Sequence, residues 1–525
     1  MHSLTKPLAI LVAMACWGCL VGRNYTRPAL DIPETWRFED EAAKDTANTQ
    51  WWSQFDDPAL DTLINEGIEA NKDILIAAAR IEQFAGRLQT TRSELFPQIN
   101  TNASGARDRT PQPGVSAQKT PATEARSLAG LLQQIKGLMT GVPSSTATSS
   151  SVSAAAQAAA VPTVKNPAST LQAGLSGSWQ LDLWGRIRRT TEAARADLLG
   201  AEDAKRGVIL SVATSIASGY VTLRSLDRQL EIATQTVSSR EQTYKLFKLQ
   251  YDAGVISELE LSQAKSVYEQ TLATVPVLVR AIGQQENAIS VLIGRNPGPI
   301  ERGNTLESLV FPAVPEGLPS SLLENRPDIV QAEHQLISAN ALVGAARAQY
   351  FPSISLTGAY GWVSDSLSHL FSADNKQWDY AVPVTSPIFT GARIAGQVRS
   401  ARAVREETLI AYQQTIQNAF REVENALIDQ KTTRDQLDAT EREVEALRKY
   451  AYFARRRFEN GYTSYIEVLD AERTLFNAEL SAAQTRAALF QALVAVYGAM
   501  GGGWIVQTEQ TAEPPAPCGA SEQRQ

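Results

Sequence analysis

Residues 458–478 read "FENGYTSYIEVLDAERTLFNA", and residues 251–271 read "YDAGVISELELSQAKSVYEQT". Each stretch sets a glycine, Gly461 or Gly254, between two helical patterns, with a serine three residues on, Ser464 or Ser257, and acidic residues just beyond. Glycine supplies the positive-φ position that ends a helix, and serine can cap the helix that returns. Both stretches therefore predict the tip of a helical hairpin. Two tips of one design imply an internal duplication, which outranks counting domains from a length of 525 residues.

Outward from the tips the duplication continues, since Phe96-Pro97 returns as Phe351-Pro352. The offset is larger there than at the glycines, so the first half holds extra sequence. That extra is residues 110–169, rich in Ser, Ala and Pro, a composition that buries too little apolar area to fold compactly. Within it, "EARSLAGLLQQIKGLM" spaces its apolar residues as a short amphipathic helix, read as an appendage or a lid on an extracellular loop. Otherwise each half predicts helix, strand, strand, very long helix, turn, helix. No proline interrupts 168–275 or 388–513. Arg186 to Asp252 spans 67 residues, on the order of 100 Å of helix.

In the second returning helix Ile466, Leu469, Phe476, Ala483, Phe490 and Tyr497 make one apolar seam, and Val468, Ala471, Leu475, Leu489 and Val496 make another. A two-stranded coiled coil needs one seam. Two seams predict neighbours on both sides, as a stave has in a tube. The first copy keeps one, through Leu261, Ala264, Tyr268, Val275, Ile282 and Ile289.

The strands alternate with period 2. "QAGLSGSWQLDLW" puts Ala173, Leu175, Trp179, Leu181 and Leu183 on one face; "PSISLTGAYGW" does so with Ile354, Leu356, Tyr360 and Trp362; "WDYAVPVTSPI" with Trp378, Tyr380, Val382, Val384 and Ile388. "PQINTNASG" alternates more weakly. Length and pattern suit tilted membrane strands. A membrane sheet must close to satisfy its backbone, and single-chain barrels begin at about eight strands. Four strands cannot span alone, so several copies must pool them.

At the N-terminus His2 and Lys6 precede the apolar run Leu8 to Ala15, the layout of a secretory signal over residues 1–18. Gly18-Cys19 predicts acylation of Cys19, and Leu20 after it predicts sorting to the outer membrane. The only cysteines are Cys16, Cys19 and Cys518, which rules out a disulfide framework. No later run of 18 apolar residues predicts a helical span. A net charge of −7 gives no case for nucleic acid. His2, His334 and His369 form no metal-spaced pair, with His334 read as packing or surface, and no phosphate loop or nucleophile elbow appears. No catalytic, cofactor or metal site is expected.

Five stretches resemble the TolC/OprM outer membrane factor family, in the lipoprotein (NodT-type) branch of RND efflux systems: "GCLVGRNYTRP", "WWSQFDDPALDTLI", "WQLDLWGRIRR", "RPDIVQAEHQL" and "GYTSYIEVLDAERTLFNAE". The resemblance runs from about Cys19 to Trp504, apart from the insertion. It implies a mostly α fold with membrane β: a homotrimeric, twelve-stranded outer-membrane β-barrel continuous with a twelve-helix periplasmic α-barrel, two repeats per chain. On it the chain divides into a signal (1–18), an acylated and equatorial segment (19–64), a first repeat (65–300), a second repeat (301–504) and a polar tail (505–525). It further implies a passive, gated export duct anchored in outer membrane lipid. A periplasmic adaptor and an inner membrane transporter of the RND type are the expected partners.

In a trimer each tip occurs three times about one axis, and converging carboxylates prefer cations. The resemblance places the gate at Glu260, Ile466, Glu467, Asp470 and Arg473, of which Ile466, Asp470 and Arg473 share a helix face. The plain alternative is solvated charge, with Asp470 and Arg473 as an i,i+3 pair. The turns Gly254-Val255 and Gly461-Tyr462 resemble adaptor-contacting tips, although turn chemistry alone accounts for the glycines. Tyr465 is bulkier than the family's aliphatic residue, which predicts a different aperture. Trp51, Trp52 and Phe55, followed by Asp57-Pro58, predict a staple of the N-terminal segment. Two other functions stay open: a type I protein-secretion duct, and a structural periplasmic coiled-coil lipoprotein that would explain the helices but not the strands.

Overall fold

A computed structural model describes residues 20–29, 33, 35–37, 50–109, 168–312, 319 and 322–501. Cys19, the signal, the amphipathic stretch of the insertion, Cys518 and the tail lie outside these residues. In chain order, a 3-10 turn Trp51–Phe55 leads to α1 (Pro58–Ala70), α2 (Lys72–Ser93), β1 (Gln98–Asp108), β2 (Ala168–Leu181), α3 (Arg186–Asp252), α4 (Glu258–Leu272) and α5 (Thr274–Leu292). Then follow α6 (Leu322–Asn325), α7 (Pro327–Ala348), β3 (Ser353–Ser364), β4 (Lys376–Ala381), β5 (Val384–Thr385), α8 (Arg393–Glu459) and α9 (Tyr465–Met500). The long helices of the two repeats, α3 and α8, have the same length, 67 residues.

Two compact units result, each drawn from both repeats. The larger takes Met1–Phe96, Gln180–Ile354 and Val384–Gln525, and the smaller takes Pro97–Trp179 and Ser355–Pro383.

In the larger unit α3 packs against α2, α7, α9, α4 and α5, while α8 packs against α7 and α9. The two seams of α9 go to different neighbours. Phe476, Ala483, Phe490 and Tyr497 join a core with Ile216, Tyr220 and Val221 of α3, whereas Leu489, Leu493 and Val496 join Tyr412, Ile416 and Val423 of α8. Ile466 departs from the expected seam and is 61% exposed. The first returning helix is broken between α4 and α5. Pro276 cannot donate to the Leu272 carbonyl and its ring crowds that group. Residues of α3 compose a stretch apolar enough to cross a membrane, but Val212, Ala213, Ile216, Ala217, Tyr220 and Val221 spend that apolarity on the protein core.

The predicted staple is buried: Trp51 stacks on Tyr497 at 5.3 Å between ring centroids, and Phe55 stacks on Phe490 at 5.6 Å. Asp57 caps α1, accepting from the Ala59 N–H at 3.0 Å, with Pro58 at the first helical position. Asp182 does the same for α3, accepting from the N–H groups of Ile187 (3.0 Å) and Arg188 (2.8 Å). That capping role removes Asp182 and Leu183 from β2, which ends at Leu181 rather than continuing to Trp184. Two further motifs meet: Tyr25 and Arg27 of "NYTRP" hydrogen-bond the Glu333 carboxylate of "RPDIVQAEHQL". Arg326 of the same motif bridges Asp328 (2.8 Å), Glu422 (2.6 Å) and the Ala499 carbonyl (3.0 Å). His334 packs between α7 and α3, with its ring 2.7 Å from the Asp203 carboxylate.

The strands form one sheet in the order β1-β2-β3-β4, with β5 also on β3. β1 and β2 are antiparallel from Gln98↔Ser178 to Asp108↔Ala168, so the ladder takes residues 168 and 169 back from the insertion. β3 and β4 pair from Thr357↔Ala381 to Trp362↔Lys376. The fourth strand is split at Pro383, which lacks the N–H a ladder needs. Two strands approach closely through glycine: a Cβ on Gly174 would lie 2.9 Å from the Gly361 Cα.

Candidate functional site: the hairpin tips and the open sheet

The twin tips fold alike. At the first, the Gly254 N–H donates to the Tyr251 carbonyl and the Val255 N–H to the Gln250 carbonyl, both at 2.8 Å. At the second, Gly461 donates to Phe458 and Tyr462 to Arg457, both at 2.9 Å. Each is a Schellman motif, and it requires the left-handed φ of +73° at Gly254 and +74° at Gly461. Val255 and Tyr462, the residues just past the glycines, are 71% and 78% exposed.

Behind the turns the two hairpins share one apolar cluster of Phe247, Ala264, Ala451, Ala454, Tyr465, Val468 and Ala471. Tyr465 is its centre. The ring is 7% exposed and lies 4.4 Å from Phe247 and 5.3 Å from Phe458. Its bulk fills the space between hairpins, which aligns the tips side by side.

The expected gate residues fall into two groups. Glu260 occupies the third position of α4, where its carboxylate accepts from the Ser257 N–H at 2.9 Å and the Ser257 hydroxyl at 3.1 Å, closing a capping box. Glu467 is likewise held, by Arg457 at 3.1 Å and by the Thr463 hydroxyl. With Glu467 so engaged, Ser464 occupies the N-cap of α9 without a capping bond from its own side chain. Ile466, Asp470 and Arg473 form the second group, together on an exposed face of α9, with Asp470 and Arg473 bonded at 2.9 Å.

Sequence reading missed the polar cluster just behind the tips. Arg240 of α3 is buried, donates to Thr271 and to the Val267 carbonyl at 3.3 Å, and keeps two nitrogens unpartnered. Burial lowers its pKa and raises that of Glu472, which Arg455 contacts at 3.2 Å. An arginine in a helix of mixed composition gives no signal of burial. The described residues contain no group of three or more His, Cys, Asp or Glu placed to hold a metal ion.

The sheet has a second unsatisfied feature. Among the described residues the outer edges of β1 and β4 have no strand partner. Ile99, Leu175, Tyr360, Trp378 and Tyr380 are large, apolar or aromatic, and exposed on it. A long apolar sheet with two free edges is stable in lipid only when closed.

Three alternating strands of membrane length beside a shorter, split fourth, an open sheet and helices on the order of 100 Å long define one subunit of an oligomeric outer-membrane duct. The chain belongs to the outer membrane efflux protein family, whose sequence pattern matches residues 137–295 and 318–502. It is 32% identical over 505 residues to the cation efflux system protein CusC of Escherichia coli O6:H1, covering 95% of this chain and 99% of that one. It is 31% identical over 516 residues to the probable efflux pump outer membrane protein TtgC of Pseudomonas putida, covering 97% and 98%. Among solved structures, the outer-membrane channel OprN superposes with a TM-score of 0.78 at 27% identity over 93% of this chain and 100% of that one. The Neisseria gonorrhoeae MtrE outer membrane channel, solved in its open state, gives 0.76 at 27% over 93% and 99%. The chain is thus an outer membrane efflux channel that extends into the periplasm, and its fold is that of the trimeric channels, membrane β-strands and a periplasmic α-barrel.

Proposed function

We propose that the chain is the outer-membrane duct of a tripartite small-molecule efflux system, held by lipid on Cys19 and gated at its periplasmic end. The observation that carries the gate is the exposed Ile466, Asp470 and Arg473 face of α9, next to tips that pack together through Tyr465. A trimer axis running past that face collects three apolar side chains and, about 6–10 Å further along the helix, three ion pairs. Glu260, tied into its own turn, adds fixed negative charge toward the tip, while the charge of Glu467 is compensated by Arg457. A periplasmic adaptor docks on Gly254-Val255 and Gly461-Tyr462, whose exposed Val255 and Tyr462 have no packing role in the chain. An inner membrane transporter of the RND type supplies the energy.

Cargo choice belongs to the transporter. Relatives of nearly equal identity are a cation efflux protein, an antibiotic efflux pump protein and a toluene efflux pump protein, the pattern expected of a duct that selects little. This favours efflux over protein secretion. The test is conductance of the purified oligomer in planar bilayers, with adaptor co-purification alongside. A closed resting channel that opens on Asp470→Ala with Arg473→Ala supports the reading; a channel with the same resting conductance in both forms rejects the gate.

A further inference from the structure

The chain segment that follows Cys19 borders a groove that the duct function does not use. Val21 is fixed to the start of α3 by its N–H bond to the Trp184 carbonyl, 3.2 Å. From there the segment, the C-terminal half of α7 and the first turns of α8 border two solvent-open clefts of about 240 and 510 Å³. Arg347 and Arg402 line both, so the two clefts adjoin at these side chains as two halves of a groove. Its first half adds Arg23 and Arg405. Its second half adds Arg399 and is otherwise walled by apolar groups, among them Val21, Phe351 and Val398.

Five guanidinium groups therefore gather in a chain whose net charge is −7. None of the five makes an ion pair with a described carboxylate. Several arginines on α3 have a carboxylate of their own, as Arg189 with Glu192, Arg206 with Asp203 and Arg224 with Asp227, and Arg326 just before α7 has Asp328 and Glu422. Uncompensated like charges repel, so this concentration calls for an anion from outside the chain. Guanidinium forks fit phosphate oxygens two at a time. The apolar half of the groove calls for hydrocarbon beside that phosphate.

We propose that the groove binds an anionic glycerophospholipid of the periplasm-facing leaflet, its phosphate on Arg347 and Arg402 and its acyl stem against Val21, Phe351 and Val398. The placement at the leaflet rests on the proposed anchoring at Cys19; the chemistry of the groove does not.

Native mass spectrometry of the full-length, detergent-extracted oligomer tests this with phosphatidylglycerol, phosphatidylcholine and inorganic phosphate as probes. Phosphatidylglycerol adducts should exceed phosphatidylcholine adducts about tenfold or more, the ratio that a few basic contacts to an anionic leaflet imply. Arg347→Gln with Arg402→Gln should abolish the preference, and the milder Arg399→Gln with Arg405→Gln should weaken it at unchanged subunit number. Inorganic phosphate should not displace the lipid. Equal retention of both lipids, a preference untouched by either variant, or displacement by phosphate alone would overturn the proposal. So would dissociation of the subunits in the milder variant, which would make the arginines an intersubunit contact. Acyl mass on the Cys19 peptide is read separately: preference without acylation keeps the groove and removes the anchor, and acylation without preference does the reverse.

Discussion

The carboxylate of Asp57 accepts the Tyr220 hydroxyl at 2.7 Å in the interior of the larger unit. The same oxygen takes the Asn304 N–H at 3.0 Å, and the Tyr220 oxygen accepts the Gly303 N–H at 2.9 Å. Burial, then the bond to Asp57, pushes the Tyr220 pKa upward and keeps the hydroxyl a donor. Gly303 is obligatory for steric reasons, since a Cβ there would lie 1.9 Å from the Asp57 carboxylate. Tyr220→Phe removes the acceptor of the Gly303 N–H and one of the two donors to the Asp57 oxygen, which keeps only the Asn304 N–H, at a cost of about 1–3 kcal/mol. Thermal unfolding should show a lower midpoint for this variant and a larger drop for Gly303→Ala; two unchanged midpoints would refute the network.

Acid should loosen the N-terminal segment. Burial disfavours the Glu333 carboxylate, but the bonds from Arg27 and Tyr25 outweigh it and hold its pKa below the ordinary 4.5. A carboxyl depressed in the folded state contributes stability above its unfolded pKa and loses it as pH falls through the folded value. The thermal midpoint should therefore hold at neutral pH and fall as pH drops below the ordinary carboxylate range. In Glu333→Gln it should be lower at neutral pH and fall less with acid.

The Asp470 and Arg473 pair is exposed, so within one chain it contributes no more than about 0.5 kcal/mol. Replacing both with Ala should leave thermal stability almost unchanged while raising resting conductance. A large loss of stability would mean that the pair is structural and not a latch.

Glu260 should behave as a capping residue first. Glu260→Ala costs about 0.5–2 kcal/mol of local stability and should speed amide exchange at Ser257 to Leu261. Glu260→Gln, which still completes a capping box, should restore part of the protection. If both variants exchange like the parent, the box carries no weight in solution.

Local rules were readable in the chain because they act over a few residues. Gly254 and Gly461 announced their turns, Asp57-Pro58 its helix start, and the alternation of Tyr360, Trp362, Trp378 and Tyr380 its strands. Pro276 and Pro383 are local signals of the same kind, yet the seam through Val275 and Ile282 and the alternation through Val382 and Val384 run across them, so both breaks appear only in the structure. What could not be read is partnership across the chain. Tyr25 and Glu333 are 308 residues apart, and nothing near either one points to the other. The burial of Arg240 and Tyr465 is likewise a property of the neighbours that reach them. Ile466 shows the converse, because its apolar spacing predicted burial that one subunit does not provide.

The outer edges of the one-chain sheet, β1 and β4, should close only on other copies. Cysteine pairs scanned along Gln98 to Asp108 and Lys376 to Ala381, oxidised in outer membranes, measure this directly. Neighbouring copies should give a covalent ladder from one chain to two to three that stops there, with each link joining β1 of one chain to β4 of the next. Cross-links confined within single chains, or none at any register, would contradict it.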